Sequence, residues 1–162
     1  YDKRFIYNES FKTPLLIKWP NKIKPGITND EMVQNLDFAQ TFLEAAGIES
    51  PIDMQGESLL PLLLQNNDKW TRDAVYYHYY EYPSVHMVKR HYGIVSKEYK
   101  LVHYYYDIDE WELFDRKNDP KELNNLYYDV NYQKVVLEMK ERLSELRLKY
   151  KDSDELSKKF IY

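Results

Sequence analysis

Residues 111–126 read WELFDRKNDPKELNNL, and this stretch predicts a strand that ends in a turn in the second half of the chain. It opens with a short, largely apolar run, Trp111–Phe114, which is typical of a strand. Pro120 has no backbone N–H to donate and keeps the residue before it out of the helical region. The strand is therefore predicted to end in a turn at Asn118–Pro120. Glu122 and the asparagines that follow it can bond local backbone and lead the chain into the next element.

Period-two alternation upstream of this stretch predicts three more strands. One is the run Asp73–Glu81, and two others lie within His91–Tyr106, joined near Ser96–Glu98. Successive residues of the last of these strands are expected to point to opposite faces, with Lys100, Val102 and Tyr104 on one side and Tyr99, Leu101, His103 and Tyr105 on the other.

Downstream, apolar residues recur at steps of three and four between Tyr132 and Tyr150, which predicts a long helix with one buried stripe. The charged end, Lys151–Tyr162, is expected to fray. Four short antiparallel strands with a helix over one face make a small α+β unit with its own core.

The first part of the chain has a different character. Leu15–Trp19 is a short apolar run between two prolines, which predicts a strand buried on both faces, as in a parallel sheet. The sequence supplies no neighbouring strands for it, so residues 1–68 are predicted to be the end of a larger α/β domain. A helix is predicted from Leu36 to Ala46, with Asp37 in its first turn as a cap or dipole residue and not a metal ligand. The polar stretch Asn66–Arg72 marks the boundary before a second domain, residues 73–162.

Composition excludes several classes of function. The formal net charge is −4 over 162 residues, and acidic and basic residues are interspersed, which argues against a dedicated nucleic-acid surface. There are no cysteines, so disulfides and thiolate metal sites are excluded. No apolar run reaches the ~18–20 residues that a membrane span needs.

Two stretches together resemble one enzyme family. Residues 111–126 resemble the ELYDLxxDPxExxNL signature near the C-terminus of type I sulfatases, the formylglycine-dependent sulfate ester hydrolases, with Phe114 in place of the usual Tyr. Lys3, Tyr7 and Pro14 fall at the spacing of a second segment, GKxxxYExxxRxP. The run IKWPNKIKPG that follows resembles the next part of that family. The resemblance covers residues 2–146, which would be the C-terminal third or so of the usual length.

The resemblance implies an alkaline-phosphatase-like α/β fold in the parent protein and a role for Lys3. In sulfatases the lysine of this motif contacts a non-bridging oxygen of the bound sulfate, and an ammonium suits an oxyanion that gains charge in the transition state. Asn8 stands where Glu is usual and Lys12 where Arg is common, so the local support of Lys3 differs from the pattern.

The catalytic cofactors of the family are expected outside this chain. Formylglycine is made from Cys or Ser in C/S-x-P-x-R, and no serine here lies in that motif. The calcium ligands of the family lie largely upstream as well. The parent is therefore expected to use Ca²⁺ and formylglycine, with neither held by this fragment, which is predicted to be inactive and to depend on the missing N-terminal portion of the catalytic domain.

The connection between the first two predicted strands, EYPSVHMVKRHYG, is the candidate specificity loop. It carries His86, Lys89 and His91, whose side chains suit sugar hydroxyls and anionic substituents. The histidines lack metal-ligand spacing, so no metal site is predicted there. The loop resembles that of sulfatases acting on glycans, particularly N-acetylglucosamine-6-sulfatase-like members.

Other functions stay open at this point. A phosphodiesterase or phosphonate hydrolase of the same superfamily would use similar segments. A stand-alone carbohydrate-binding or interaction module would account for the many aromatic residues and the His/Lys/Arg loop. The resemblance implies a sulfated glycan as substrate and a periplasmic or extracellular location.

Overall fold

The computed structural model describes residues 3–161. Their helices and strands follow one another along the chain as α1 (Asn8–Phe11), α2 (Asp37–Ala45), α3 (Leu60–Leu63), β1 (Ala74–Tyr79), β2 (His91–Ser96), β3 (Tyr99–Tyr104), β4 (Glu110–Asp115), α4 (Gln133–Lys149) and α5 (Asp154–Lys158), with short 3₁₀ turns at Asn67–Lys69 and Val130–Tyr132. The chain divides into two compact units, one formed by Pro14–Val75 and the other by the segment that ends at Thr13 together with Tyr76 onward. The predicted division at residues 68 and 73 refers to the parent enzyme and stays a prediction.

The four strands form one antiparallel sheet, as predicted, and their order in the sheet is that of the sequence. Ile94 pairs with Leu101, and Leu101 pairs with Leu113, so apolar residues align across three strands. The turn between β2 and β3 is closed by Ser96, whose hydroxyl donates to the Tyr99 carbonyl. Gly93 has a structural reason to be glycine, because a Cβ there would lie 2.5 Å from the Leu101 carbonyl oxygen.

Both faces of the sheet are covered. Helix α4 packs on β2 and β3 with Val136, Met139 and Leu143 buried, and we call this side the helix face. The opposite side, here the segment face, is covered by residues Lys3–Phe11, which we call the Lys3 segment. Ile6 of this segment is 0% exposed. This second covering is the reason that every residue of β2 is buried.

The turn after β4 is built by side chains that accept backbone hydrogen bonds. The Asp115 carboxylate accepts from the backbone N–H groups of Lys117 and Asn118, and the Asp119 carboxylate accepts from Leu123 and Asn124. The predicted strand and turn are therefore confirmed. No helix follows directly within the described residues; α4 begins at Gln133, after an irregular connection.

Two expectations for local structure are wrong. Leu15–Trp19 forms no strand in the described part of the chain, and Leu16 is 94% exposed. The physical reason is that a strand needs partners for its backbone N–H and C=O groups. The end of the chain is not frayed throughout, because Asp154–Lys158 form α5, with the Ser153 hydroxyl accepting from the Leu156 N–H as an N-cap.

In the Pro14–Val75 unit, α2 confirms the predicted helix and Asp37 has a larger role than predicted. Its carboxylate is 0% exposed, accepts two hydrogen bonds from the Arg72 guanidinium at 2.5 and 2.7 Å, and also accepts from the backbone N–H groups of Gln34 and Glu57. A buried carboxylate with this many donors ties α2 to the chain that precedes β1.

Candidate functional site

Lys3 is exposed at the start of a segment that is otherwise well anchored. The Tyr77 hydroxyl donates to the Arg4 carbonyl at 2.7 Å, and the Lys100 ammonium donates to the Ile6 carbonyl at 2.7 Å. The Asn8 backbone N–H donates to the Glu122 carboxylate at 3.0 Å. The backbone that carries the predicted sulfate-contacting lysine is thus fixed by three side chains from elsewhere in its unit.

Tyr7, the second residue of the predicted motif, points into the sheet. Its hydroxyl donates to Glu112 Oε2 at 2.8 Å and lies 3.1 Å from the Tyr104 hydroxyl. Burial raises the pKa of Tyr7 to about 12, so the hydroxyl stays protonated and acts as a donor. Burial also raises the pKa of Glu112. Tyr7 is therefore an anchor of the segment on the segment face.

Asn8, which departs from the family pattern, also has partners. Its side-chain oxygen accepts from Lys100 Nζ at 3.3 Å, and its Nδ2 donates to the Pro120 carbonyl at 3.3 Å. The residue that replaces the usual Glu therefore still connects the Lys3 segment to β3 and to the turn after β4.

The predicted specificity loop holds its residues at different depths. His86 is exposed, while Lys89 is half-buried, with its Nζ donating to the Tyr82 hydroxyl and lying 3.9 Å from the centre of the Tyr82 ring. Such an ammonium is held against an aromatic face by a cation–π contact. Arg90 anchors the end of the loop, since its guanidinium donates to the carbonyls of Tyr80 and Phe160 at 3.1 and 3.2 Å.

His91 is enclosed at the start of β2, with 0% of its surface exposed. Its ring stacks on Phe5 with centroids 5.9 Å apart and also contacts Tyr77, Tyr79 and Tyr104. Burial lowers the pKa of His91 to about 4, so the imidazole is neutral at neutral pH. Its Nδ1 donates to the Lys89 carbonyl at 2.8 Å, and its buried Nε2 has no hydrogen-bond partner among the described residues.

The predicted site residues therefore fall into two groups. Phe5, two residues after Lys3, stacks on His91, so His91 packs against the segment that begins with Lys3. His86 and Lys89 lie on the loop that precedes β2. Their roles in binding stay predictions.

Sequence reasoning missed an ion pair beneath the Lys3 segment. Lys100 Nζ lies 2.5 Å from Glu122 Oε1, and the two side chains are 0% and 1% exposed. Burial lowers the pKa of Lys100 to about 8, against the raising effect of Glu122, and the ammonium remains charged at neutral pH. The alternation placed Lys100 on the correct face, but nothing local indicated that a carboxylate from the turn after β4 would meet it there.

A second polar network was missed on the helix face. His78 lies between Asp152, 2.8 Å from Nδ1, and the Tyr105 hydroxyl at Nε2. Asp152 also accepts from the hydroxyls of Tyr76 and Tyr80 and lies 3.3 Å from Arg147 Nε. Despite burial, the bonds from His78 and Tyr76 hold the pKa of Asp152 well below its usual range. This network fastens Asp152, three residues beyond the end of α4, to β1.

The described residues do not fit the metal of the expected enzyme. Residues 3–161 contain no group of three or more His, Asp or Glu side chains placed to hold a metal ion. The Asp37 carboxylate is bound by Arg72, and Asp152 lies in the network with His78. Nor do the helices of this range include one that is long and apolar enough to cross a membrane.

Comparison with known proteins places these features in one group of enzymes. The sequence model described as N-sulphoglucosamine sulphohydrolase, C-terminal, matches residues 1–149. An N-acetylglucosamine-6-O-sulfatase of Bacteroides thetaiotaomicron is 50% identical over 157 residues, which are 95% of this chain and 28% of that protein. A human N-acetylglucosamine-6-sulfatase is 40% identical over 76 residues, 46% of this chain and 14% of that protein.

Solved structures agree with this relationship. BT4656, solved in complex with its substrate D-glucosamine-2-N,6-O-disulfate, matches with a TM-score of 0.90 and 49% identity over 94% of this chain and 31% of that one. A phosphonate monoester hydrolase from Silicibacter pomeroyi matches with a TM-score of 0.78 at 21% identity over 91% of this chain and 31% of that one, a likeness of fold alone.

The predicted fold is confirmed: a four-stranded antiparallel sheet and a long C-terminal helix, as in the C-terminal part of alkaline-phosphatase-like sulfatases. The chain spans 28% of the length of the N-acetylglucosamine-6-O-sulfatase and 31% of that of BT4656, less than a third in each case. With the sheet, the helix and the sequence match in agreement, the chain belongs to the N-sulphoglucosamine sulphohydrolase C-terminal family of sulfatases.

Proposed function

We propose that the protein containing this chain hydrolyses sulfate esters of glycans, and that this chain supplies a sulfate contact and part of the sugar site. The observation that carries the proposal is the 50% identity to an N-acetylglucosamine-6-O-sulfatase over 95% of the chain. Residues 1–68 would then complete the α/β catalytic domain, and residues 73–162 would form the C-terminal subdomain.

Lys3 would contact the sulfate group. Its side chain is exposed, whereas its backbone neighbours are fixed by Tyr77 and Lys100, so the ammonium can reach an anion from a rigid base. A preorganised cation stabilises charge that develops on the sulfate oxygens without reorganisation during the reaction. The role is electrostatic, because an ammonium at this position is neither nucleophile nor metal ligand.

The specificity loop would contact the sugar. His86 and Lys89 offer donors to hydroxyl and anionic groups. The neutral His91 ring is 0% exposed and its Nδ1–H is committed to the Lys89 carbonyl, so it would support the loop while His86 and Lys89 meet the sugar. Because the match to BT4656 and to the 6-O-sulfatase extends over this loop, we propose sulfated glucosamine units as the substrate class.

The remaining parts of the catalytic site would come from the parent protein. Formylglycine would supply the nucleophile and Ca²⁺ a Lewis acid, both held by residues of the parent protein outside this chain. The residues described here contribute the cation at Lys3 and the sugar contacts, which position the substrate but cannot open a covalent route by themselves.

The test is turnover of an aryl sulfate and of a 6-sulfated glucosamine by the full-length protein. Lys3→Ala should lower kcat/KM by about 100-fold or more, in the range seen when one charge-stabilising donor is removed. Lys121→Ala, at another exposed lysine, is the matched control and should retain wild-type turnover. The isolated chain, with or without Ca²⁺, should not turn over either substrate.

Three outcomes would contradict the proposal. Metal-dependent turnover by the isolated chain would place the nucleophile within these residues. Turnover of phosphonate or phosphate diesters by the full-length protein in clear preference to sulfate esters would favour a phosphodiesterase or phosphonate hydrolase. Micromolar binding of sulfated glycans by the isolated chain, lost on changing His86 and His91 to Ala, would instead favour a binding module.

A further inference from the structure

The segment that carries Lys3 is held at alternate backbone positions. The Arg4 carbonyl accepts from Tyr77, the Ile6 carbonyl accepts from Lys100, and the Asn8 N–H donates to Glu122. The three anchors come from β1, from β3 and from the turn after β4. The segment is therefore fixed to three separate parts of one unit within a few residues of Lys3.

The buried Lys100–Glu122 pair costs free energy, because both charges lose their contact with water. Both side chains are essentially unexposed, and a buried ion pair is weak support for stability, because well-packed apolar residues of the same volume often do as well. Glu122 also has a φ of +55°, a left-handed backbone conformation that side chains other than glycine rarely adopt. Buried charge and backbone strain persist where the surrounding structure requires one particular geometry.

The pair fixes geometry in a way that apolar residues could not. Glu122 uses one oxygen for Lys100 and the other for the Asn8 N–H, while Lys100 uses its ammonium for Glu122 and for the Ile6 carbonyl. Each charge therefore bonds both its partner and the Lys3 segment. Directional bonds of this kind set the position of a backbone, whereas apolar packing sets only its approximate distance.

We propose that Lys100, Glu122 and Tyr77 are positioning residues for the sulfate site: they hold the Lys3 segment so that its ammonium meets the sulfate, without touching substrate themselves. This inference rests on the proposed function and on the role proposed for Lys3. Glu122, the glutamate of the DPKEL stretch, would then position the Lys3 segment in addition to forming part of the turn after β4. Displacement of such a segment by about 1 Å can cost on the order of 100-fold in rate.

The first test compares neighbouring residues of β1. Tyr77→Phe removes the hydroxyl that bonds the Arg4 carbonyl, and should lower kcat about 10-fold or more in the full-length protein while KM changes by less than about threefold. Tyr76→Phe is the matched control, because it removes a hydroxyl that bonds Asp152 in the network on the helix face. It should leave kcat at the wild-type value. Equal kcat values for the two variants would overturn the proposal.

The second test is a double-mutant cycle between Glu122 and Lys3. Glu122→Gln alone should lower kcat by about 10- to 100-fold. If Glu122 acts through Lys3, the same substitution in a Lys3→Ala background should cause less than about a threefold further loss, since the interaction is already removed. A loss as large in that background as in the wild type would mean that Glu122 supports activity by another route, and would overturn the proposal.

A readout that does not depend on turnover separates this inference from the proposed function. Amide hydrogen exchange at Asn8, measured in the full-length protein, should become about 10-fold faster or more in Glu122→Gln and stay at the wild-type rate in Tyr76→Phe, because Glu122 accepts the Asn8 N–H. Unchanged exchange in Glu122→Gln would overturn the positioning inference whatever the turnover. Wild-type turnover in Lys3→Ala would overturn the proposed role of Lys3 while the exchange result still reports the anchoring.

Discussion

At the scale of single residues, His91 shows how enclosure decides chemistry. Its ring lies among Phe5, Tyr77, Tyr79 and Tyr104, and it bonds only the Lys89 carbonyl among the described residues. Burial disfavours the charged imidazolium and lowers the pKa to about 4. A histidine that would be a pH-responsive group on a surface is here a neutral ring with one fixed hydrogen bond.

This predicts acid sensitivity with a definite sign. In the unfolded chain His91 takes up a proton near its ordinary pKa of 6.5, but in the folded state only near 4, so the unfolded state binds more protons between these values. The free energy of unfolding should therefore fall as the pH drops from 6.5 to 4. The contribution of His91 is about 3 kcal/mol, from ~1.4 kcal/mol per pKa unit.

Chemical denaturation at a series of pH values measures this contribution. His91→Phe should reduce the decline between neutral pH and pH 4, although it loses the bond to the Lys89 carbonyl and starts from a lower stability. Tyr79→Phe, at a ring that also contacts His91, should keep the full wild-type decline. The pKa values of His78 and His103 are lowered too, so the informative quantity is the difference between the two variants. The same decline in both would contradict the prediction.

At the scale of elements, α4 follows the pattern that its sequence predicts. Val136, Met139 and Leu143 are buried on the sheet, while Leu137 and Leu148 are 68% and 76% exposed. Leu143 and Leu137 therefore differ in environment although all leucines have the same intrinsic helix propensity. The difference comes only from the face of the helix on which each lies.

A pair of alanine substitutions tests that distinction. Leu143→Ala removes a side chain that is 3% exposed and should lower the free energy of unfolding by about 2–5 kcal/mol, through lost apolar burial and the cavity left behind. Leu137→Ala should change it by no more than ~0.5 kcal/mol. Denaturant titration of both variants measures the two values. Comparable losses would mean that α4 does not pack on the sheet through this stripe.

The two elements that differ from prediction, Leu15–Trp19 and α5, each have a physical explanation. Leu15–Trp19 has the composition of a buried strand, but a strand forms only against partners, and none lies in the described part of the chain. The short helix α5 was missed although Ser153 with two acidic residues after it is an N-terminal signal. The high charge of this stretch predicts fraying, but here the charged residues belong to a capped helix.

At the scale of the whole molecule, the Lys3–Phe11 segment belongs with the sheet and not with the residues that follow it in sequence. Ile6 is fully buried on the segment face, and the Lys3 segment falls in the unit that contains Tyr76 onward, apart from Pro14–Val75. The backbone of Ile17 and Lys18 has no place in a helix or strand of the described structure. An anchored segment is therefore followed in sequence by a stretch without helix or strand, and the sheet comes after both.

Hydrogen exchange along this chain should show the same discontinuity. The amides of Asn8, Phe11 and Leu101 should be protected, because each is bonded within the sheet unit, whereas those of Ile17 and Lys18 should exchange fast. Mass spectrometry of overlapping peptides resolves the two regions. Uniform protection from Leu15 to Tyr150 would show that the strand predicted in the Pro14–Val75 unit pairs with another strand of this chain. Fast exchange at Asn8 would show that the segment is not anchored.

The sequence by itself determined the four strands, the long helix and the family. Period-two and period-3.6 patterns are local, and so are the turn residues around Pro120 that match the sulfatase signature. Only the tertiary structure decided that Lys100 is buried against Glu122, that His91 is enclosed by aromatic rings, and that Lys3 starts a segment fixed to the sheet. The physical reason is that alternation tells which face a side chain takes but not what covers that face. A lysine in a strand has the same local pattern whether it meets water or, as here, a carboxylate from a distant turn.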